Sequence, residues 1–284
     1  MSALKQQVQN FWNDASCGEY LYLAGQSKAH YEAQSAARYA LEPYIINFAQ
    51  FSQWAGKRVL EIGVGLGADH QKFAEAGADL HGIDLTERAV AHTNLRLALF
   101  GLQSHIEKGD AEQLPFPDNH FDLVYSWGVI HHSPDTPKAA QEIIRVLKPG
   151  GEFRVMIYHK YSMIGFMLWL RYGLGTGRPW RSLRDIYSSH LESPGTKAYS
   201  VDEAKPLFFG VGDLAIETVL THGDLLEGQA GQRHRGILLS VARALWPRWL
   251  IRTLFPRNGL FMLISGRKPI DGVSKKSQAP IQAM

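Results

Sequence analysis

The loop Glu61-Ile-Gly63-Val-Gly65-Leu-Gly67-Ala68 stands between a short apolar run and a helical pattern. Glycines at such a junction permit positive φ angles, and their missing side chains let a ligand approach backbone N–H groups at the start of a helix. Asp84 closes the next apolar run, 21 positions beyond Gly63. A carboxylate there can accept both ribose hydroxyls of a nucleoside. On spacing alone the loop also satisfies the looser dinucleotide pattern G-x-G-x-x-A, so the glycines leave the identity of the nucleoside open. Asp110 follows a third apolar run. Both aspartates need partners, because a carboxylate closing a buried strand is costly without one.

Histidines gather at the ends of the later runs. His131 and His132 follow the fourth, His159 the fifth and His222 the sixth, so all are expected near one rim. A positioned base there would speed a reaction whose nucleophile must lose a proton. His159, His222, Asp224 and His234 are residue types that suit zinc, iron or magnesium, but their spacings match no ligand motif and no metal is expected. Cys17 has no neighbouring base signature and reads as an inert small residue.

The elements that must carry these residues alternate. Val59 to Ile62, Leu80 to Ile83, a short run before Asp110, Phe121 to Ser126, and Glu152 to Tyr158 read as strands with helices between them. That rhythm means βαβ units and a parallel sheet covered on both faces, an α/β fold. Leu214 to Leu220 and Gly259 to Ser265 supply two further strands. Ser27 caps a helix toward Phe51 that Pro43 should break, and Ser200-Val-Asp-Glu203 is a capping box. With 45% hydrophobic and 20% charged residues and one cysteine, the chain is neither disordered nor a disulfide scaffold. It begins without the apolar core of a signal peptide, and no run approaches a membrane span, so a cytoplasmic location is expected. Residues 1–150 hold 12 Lys and Arg against 17 Asp and Glu, while the remainder holds 18 against 10. The basic half would suit an anionic partner such as a phosphorylated or carboxylated substrate or a lipid headgroup. No compact basic run marks a nucleic-acid site.

Gly109-Asp110-Ala111-Glu112, Leu114-Pro-Phe116, Phe121-Asp122, His131-His132 and Arg145-Val-Leu-Lys-Pro-Gly-Gly151 together resemble the class I S-adenosylmethionine-dependent methyltransferases. Within them the chain looks most like the small-molecule branch that includes the ubiquinone/menaquinone enzymes (methyltransferase type 11). The resemblance covers residues 57–158 and a last strand ending in Gly266-Arg-Lys-Pro269. It implies a Rossmann-like, mostly parallel seven-stranded sheet with helices on both faces and one strand reversed at an edge. An N-terminal helical cap would span 1–56 and the methyltransferase domain 57–268. Insertions 160–210 and 222–258 would cover the acceptor, ahead of a polar tail from 269 to 284.

The resemblance also implies roles. Glu61, Gly63 and Gly65 would face the methionine part of S-adenosylmethionine, Asp84 and Leu85 the ribose, Asp110 and Ala111 the adenine, and Ser126, Trp127 and Gly128 the sulfonium side. The implied reaction is O-, C- or N-methylation of a small molecule by alignment, with His132, Tyr158 or His159 orienting or deprotonating it. Apolar stretches at Met163–Tyr172 and 244–255, with Arg233, Arg235, Arg248 and Arg252, add an amphipathic or anionic acceptor and peripheral membrane contact as candidate properties. A non-catalytic cofactor-binding scaffold, an NAD-dependent oxidoreductase and an RNA methyltransferase are the alternatives.

Overall fold

The structure, a computed structural model, describes residues 2–227 and 246–270. Seven strands form one sheet: β1 (Arg58–Ile62), β2 (Asp79–Asp84), β3 (His105–Lys108), β4 (Phe121–Trp127), β5 (Leu147–Tyr158), β6 (Gly212–Val219) and β7 (Phe261–Arg267). Their order is β3-β2-β1-β4-β5-β7-β6. The first five are parallel, and β7 runs antiparallel to both β5 and β6. The reversed strand therefore lies one place in from the edge, with β6 outside it.

Strand β1 is buried from Val59 to Ile62, as expected of a central parallel strand with helices on both faces. One core packs Leu60, Ile62, Val124, Phe153 and Val155 against Ala140 and Ile143; the other packs Val59, Leu123 and Tyr125 against Phe73, Trp54 and Ile45.

The helices in chain order are α1 (Ala3–Asp14), α2 (Glu19–Tyr22), α3 (Lys28–Leu41), α4 (Tyr44–Ala49), α5 (Ala68–Glu75), α6 (Glu87–Phe100), α7 (Thr136–Val146), α8 (Met163–Tyr172), α9 (Leu183–His190), α10 (Val201–Ala204) and α11 (Arg248–Leu254). Ser27 caps α3, and the chain breaks at Pro43 before α4. Residues 3–14, which lie in the expected helical cap but were given no helix bounds of their own, form α1 with Ser2 accepting from Lys5 N. The capping box at Ser200 forms, and the turn after it stacks Phe208 on Phe153 at 4.6 Å, so this end of the 160–210 insertion covers a sheet face. Residues 228–245, including Arg233, His234 and Arg235, and the tail from 271 lie outside the described residues. No helix among the described residues is long and apolar enough to cross a membrane.

Arg96 of α6 ties the cap to the sheet domain. It is fully buried and donates only to neutral acceptors: Gln71 at 2.7 Å, Gln34 at 2.8 Å, the Leu66 carbonyl at 2.9 Å, the Tyr31 carbonyl at 3.1 Å, and Ser35. Burial draws it down to about 10, so it still carries its charge at neutral pH. Replacing Arg96 with Met strands several buried acceptors at ~1–3 kcal/mol each. Urea unfolding of Arg96→Met should show a loss of at least ~3 kcal/mol; a loss under ~1 kcal/mol would mean the cap is held by other contacts.

Candidate active site

The carboxyl ends of β1, β2 and β4 open on a shared cleft. Gly63 N donates to Ile83 O and Gly109 N to Asp84 O, both at 2.8 Å, which brings the three turns after β1, β2 and β3 to one edge. Gly63 adopts φ +83°, and a Cβ there would lie 2.1 Å from Val129. Gly65 at φ +54° has nothing within 4 Å of the same position, so the turn is filled on one side and open on the other. The open side is a cradle for a ligand against the start of α5.

Asp84 reaches this cradle. Its Oδ1 accepts from Thr86 N at 2.9 Å and Thr86 Oγ1 at 2.8 Å, and its Oδ2 accepts from Gly65 N at 3.2 Å. Burial raises its pKa, and these donors oppose the shift. Asp110 accepts from Glu112 N at 2.9 Å and pairs with Lys5 Nζ at 2.6 Å. Leu85 and Ala111 line the cleft beside these aspartates, and Gln9 donates to the Leu85 carbonyl at 2.9 Å. The α1 helix thus lies over this end of the cleft.

Glu61 is buried with its Oε2 2.8 Å from His70 Nδ1. Ser104 Oγ donates to the Leu80 carbonyl, so its 2.8 Å contact with His70 Nε2 requires that nitrogen to carry the hydrogen. Burial holds His70 down to about 3, and burial together with Asp69 and Asp84 holds Glu61 well above the usual carboxylate range, against the pull of Arg38. The consistent state is a protonated Glu61 donating to a neutral His70.

The other expected residues divide. Trp127 and Gly128 line the cleft, with Trp127 also packed 5.7 Å from Phe261 and 6.1 Å from Tyr44. Ser126 does not line it; its hydroxyl donates to the Ile62 carbonyl between neighbouring strands. Tyr158 and His132 do line it. Tyr158 Oη donates to Glu192 at 2.7 Å, and burial followed by Glu192 keeps the phenol protonated, so it serves as a donor and not as a base. His132 holds Ser193 Oγ at 2.8 Å on one nitrogen and stands 3.4 Å from Glu192 on the other.

His159 departs from the expectation. Side chains alternate along a strand, so the residue after Tyr158 turns away from the cleft. Its ring meets the Gly259 carbonyl at 3.2 Å, outside the lining. His131 is buried beside Tyr158 with ring centroids 4.0 Å apart, and neither it nor His222 lines the cleft. Asp224 accepts from Thr221, Ile164 N and Leu260 N, fastening the starts of α8 and β7. No group of three or more His, Cys, Asp or Glu among the described residues is placed to hold a metal. Cys17 opens onto the cleft and is exposed to solvent.

Three acidic lining residues escape the sequence reading. Asp69, in the first turn of α5, accepts from Arg38 at 2.6 and 3.1 Å, Tyr39 at 3.0 Å and Tyr125 at 2.9 Å. Glu42 and Glu192 line the far end with Trp12, Trp127, Tyr158 and Phe261. Nothing in their local sequence marks them; the cap and the insertion bring them there. Both lining cations are engaged, Lys5 with Asp110 and Glu112, and Arg38 with Asp69 and Glu42.

The cradle and its carboxylates fit an adenosyl group carrying an amino acid tail. A family model described as a methyltransferase domain matches residues 60–155. A probable S-adenosylmethionine-dependent methyltransferase of Mycolicibacterium smegmatis is 30% identical over 200 residues, 69% of this chain and 70% of the relative. A fatty-acid O-methyltransferase of the same organism is 36% identical over 124 residues, 43% of this chain and 44% of that protein. The chain spans 44% of the length of the first curated relatives it matches. Among solved structures, phosphoethanolamine N-methyltransferase 2 of Haemonchus contortus, in complex with phosphomonomethylethanolamine and S-adenosylhomocysteine, superposes with a TM-score of 0.57 at 18% identity, over 92% of this chain and 60% of that one.

The Glu61–His70 pair sets a pH test. The folded protein keeps a proton on Glu61 that the unfolded chain releases above about 4.5, so this group's contribution to stability falls as pH rises past that value. Glu61→Gln keeps a donor to His70 and should therefore gain stability relative to the native protein between about pH 5 and pH 8. Glu61→Ala leaves His70 Nδ1 unpaired and should lose ~1–3 kcal/mol. Thermal unfolding of the three proteins across that range reads both; a Gln variant that tracks the native curve in parallel would show an ionised Glu61.

Proposed function

The chain belongs to the class I S-adenosylmethionine-dependent methyltransferases, and on that premise we propose that it methylates a small-molecule acceptor held beneath the N-terminal helices. The observation that carries this reading is a single cleft. It runs from the glycine turn, Asp84 and Asp110 to a chamber walled by Trp12, Trp127, Tyr158 and Phe261. The fatty-acid O-methyltransferase relative supports a small acceptor. An anionic acceptor or a phosphate backbone finds no unpaired cation among the described lining residues, which weighs against the partner suggested by the basic C-terminal half.

Bound S-adenosylmethionine supplies an activated methyl group on a sulfonium. The chain's own task is alignment, which can contribute up to roughly 7–11 kcal/mol. The glycine turn presents backbone N–H groups, and Asp84 offers its oxygens to the ribose. Asp110 and the Ala111 N–H face the adenine edge, with Lys5 beside them. Glu61, which lines the same cleft, would stand by the amino acid tail. At the other end Tyr158 holds Glu192, His132 stands against the same carboxylate, and Trp12 packs 5.2 Å from His132 to keep water out.

Calorimetric titration with S-adenosylhomocysteine tests the assignment. Asp84→Ala removes a charged acceptor from the ribose at ~1.5–3 kcal/mol for each bond lost, so affinity should fall by at least about tenfold. Unchanged affinity would remove Asp84 from the site.

A further inference from the structure

The far end of the cleft holds more carboxylate than alignment of a methyl group requires. Glu42 follows the last turn of α3 and Glu192 follows α9, and both line the chamber. The Glu42 side chain is 12% exposed and takes a hydrogen bond from Trp127, while its Oε2 accepts none and meets only an ion-pair contact. Arg38 Nη1 stands 3.4 Å from that oxygen, but the guanidinium is committed to Asp69 by two shorter bonds. Burial pushes Glu42 up to about 7, with Asp69 and Glu192 adding to it and Arg38 opposing. Around this space stand three carboxylates, one occupied guanidinium and the rings of Trp12, Trp127, Tyr158 and Phe261.

Each class of acceptor meets these groups differently. An anion would face two carboxylates in an enclosed space. A neutral, donor-free molecule would leave the Glu42 Oε2 with its long contact to Arg38 alone, a poorly compensated carboxylate in a site closed to water. An ammonium group supplies N–H donors to both carboxylates and a cation to the ring faces. Resting on the methyltransferase reading, we propose that the acceptor is an amine, held as its ammonium between Glu42 and Glu192 against these aromatic walls, and that Glu42 takes its proton.

The step balances. One N–H proton passes to the Glu42 carboxylate, leaving a neutral nitrogen with a lone pair. That pair forms the N–CH3 bond as the methyl–sulfur bond breaks, and the electron pair of the broken bond stays on sulfur. The positive charge moves from sulfonium to the methylated ammonium, and Glu42 later releases its proton to water. Tyr158 and His132 position Glu192 throughout.

Calorimetry on the full chain saturated with S-adenosylhomocysteine tests this, with matched probes on benzyl, phenethyl and hexyl skeletons, each as amine, carboxylate and alcohol. The amines should bind at least about tenfold tighter than their counterparts, and Glu42→Gln and Glu192→Gln should each weaken them by about tenfold. S-adenosylhomocysteine affinity should be unchanged in both variants. Equal binding of acids or alcohols, no binding by any amine, or a preference that survives both substitutions together overturns the proposal. If Glu42→Gln fails to fold, Glu192→Gln carries the test, its side chain being 29% exposed. Failure of S-adenosylhomocysteine to bind the native protein would instead sink the methyltransferase reading, so the two failures are distinct.

Discussion

The arrangement above the sheet depends on one buried carboxylate. Asp69 is sealed from solvent at the first turn of α5, where a lone charge would be untenable, and it is kept by four donors from three side chains. Two of those side chains, Arg38 and Tyr39, belong to α3, and the third, Tyr125, to β4. The cap is therefore fastened to the sheet by an interaction that tolerates no partial version. Losing one partner leaves a buried charge or a buried donor exposed to nothing. The Arg38 guanidinium lies 6.0 Å from the Trp127 ring centre, and Glu42 one turn beyond takes a hydrogen bond from the same tryptophan.

The cleft divides into two chemistries along its length. Near β1 and β2 the walls are backbone N–H groups of the glycine turn and the carboxylates of Asp84 and Asp110. Beyond Trp127 the walls are aromatic, and the polar groups are acidic or held protonated by their surroundings. Tyr158 keeps its hydrogen through burial and the neighbouring Glu192. This leaves the carboxylates as the proton-accepting groups of that end, beside a His132 already engaged on both nitrogens.

The sheet and its floor were legible in the sequence because their signals are local. Apolar runs of four to seven residues, a glycine turn and a carboxylate at each strand end are all decided within a few positions. Strand parity was less well read. His159 was assigned to the rim from its place after β5, but alternation gives that rim to Tyr158. Ser126 was placed at the sulfonium side, yet a hydroxyl inside a closed sheet finds a neighbouring carbonyl first. Helix α1 falls in the expected helical cap but was given no bounds, although Leu4, Val8, Phe11 and Trp12 recur at helical spacing behind Ser2. Glu42, Asp69 and Glu192 carry no local mark, since their meaning arises from α3 and the insertion folding over the sheet. The reversed strand was foreseen but set at the margin; pairing of β6 outside β7 is a long-range choice that composition does not encode.

Lys5 has a consequence for how a nucleoside comes and goes. Its ammonium already occupies the Asp110 oxygen and Glu112, and it rides on a helix whose Gln9 also grips the Leu85 carbonyl. On the proposed reading, in which Asp110 meets the adenine, docking of that helix and residence of the nucleoside would be thermodynamically linked, each altering the other by the same factor. If the two compete for Asp110, spent nucleoside is expelled as the helix settles; if they share it, the helix becomes a latch that lengthens each visit.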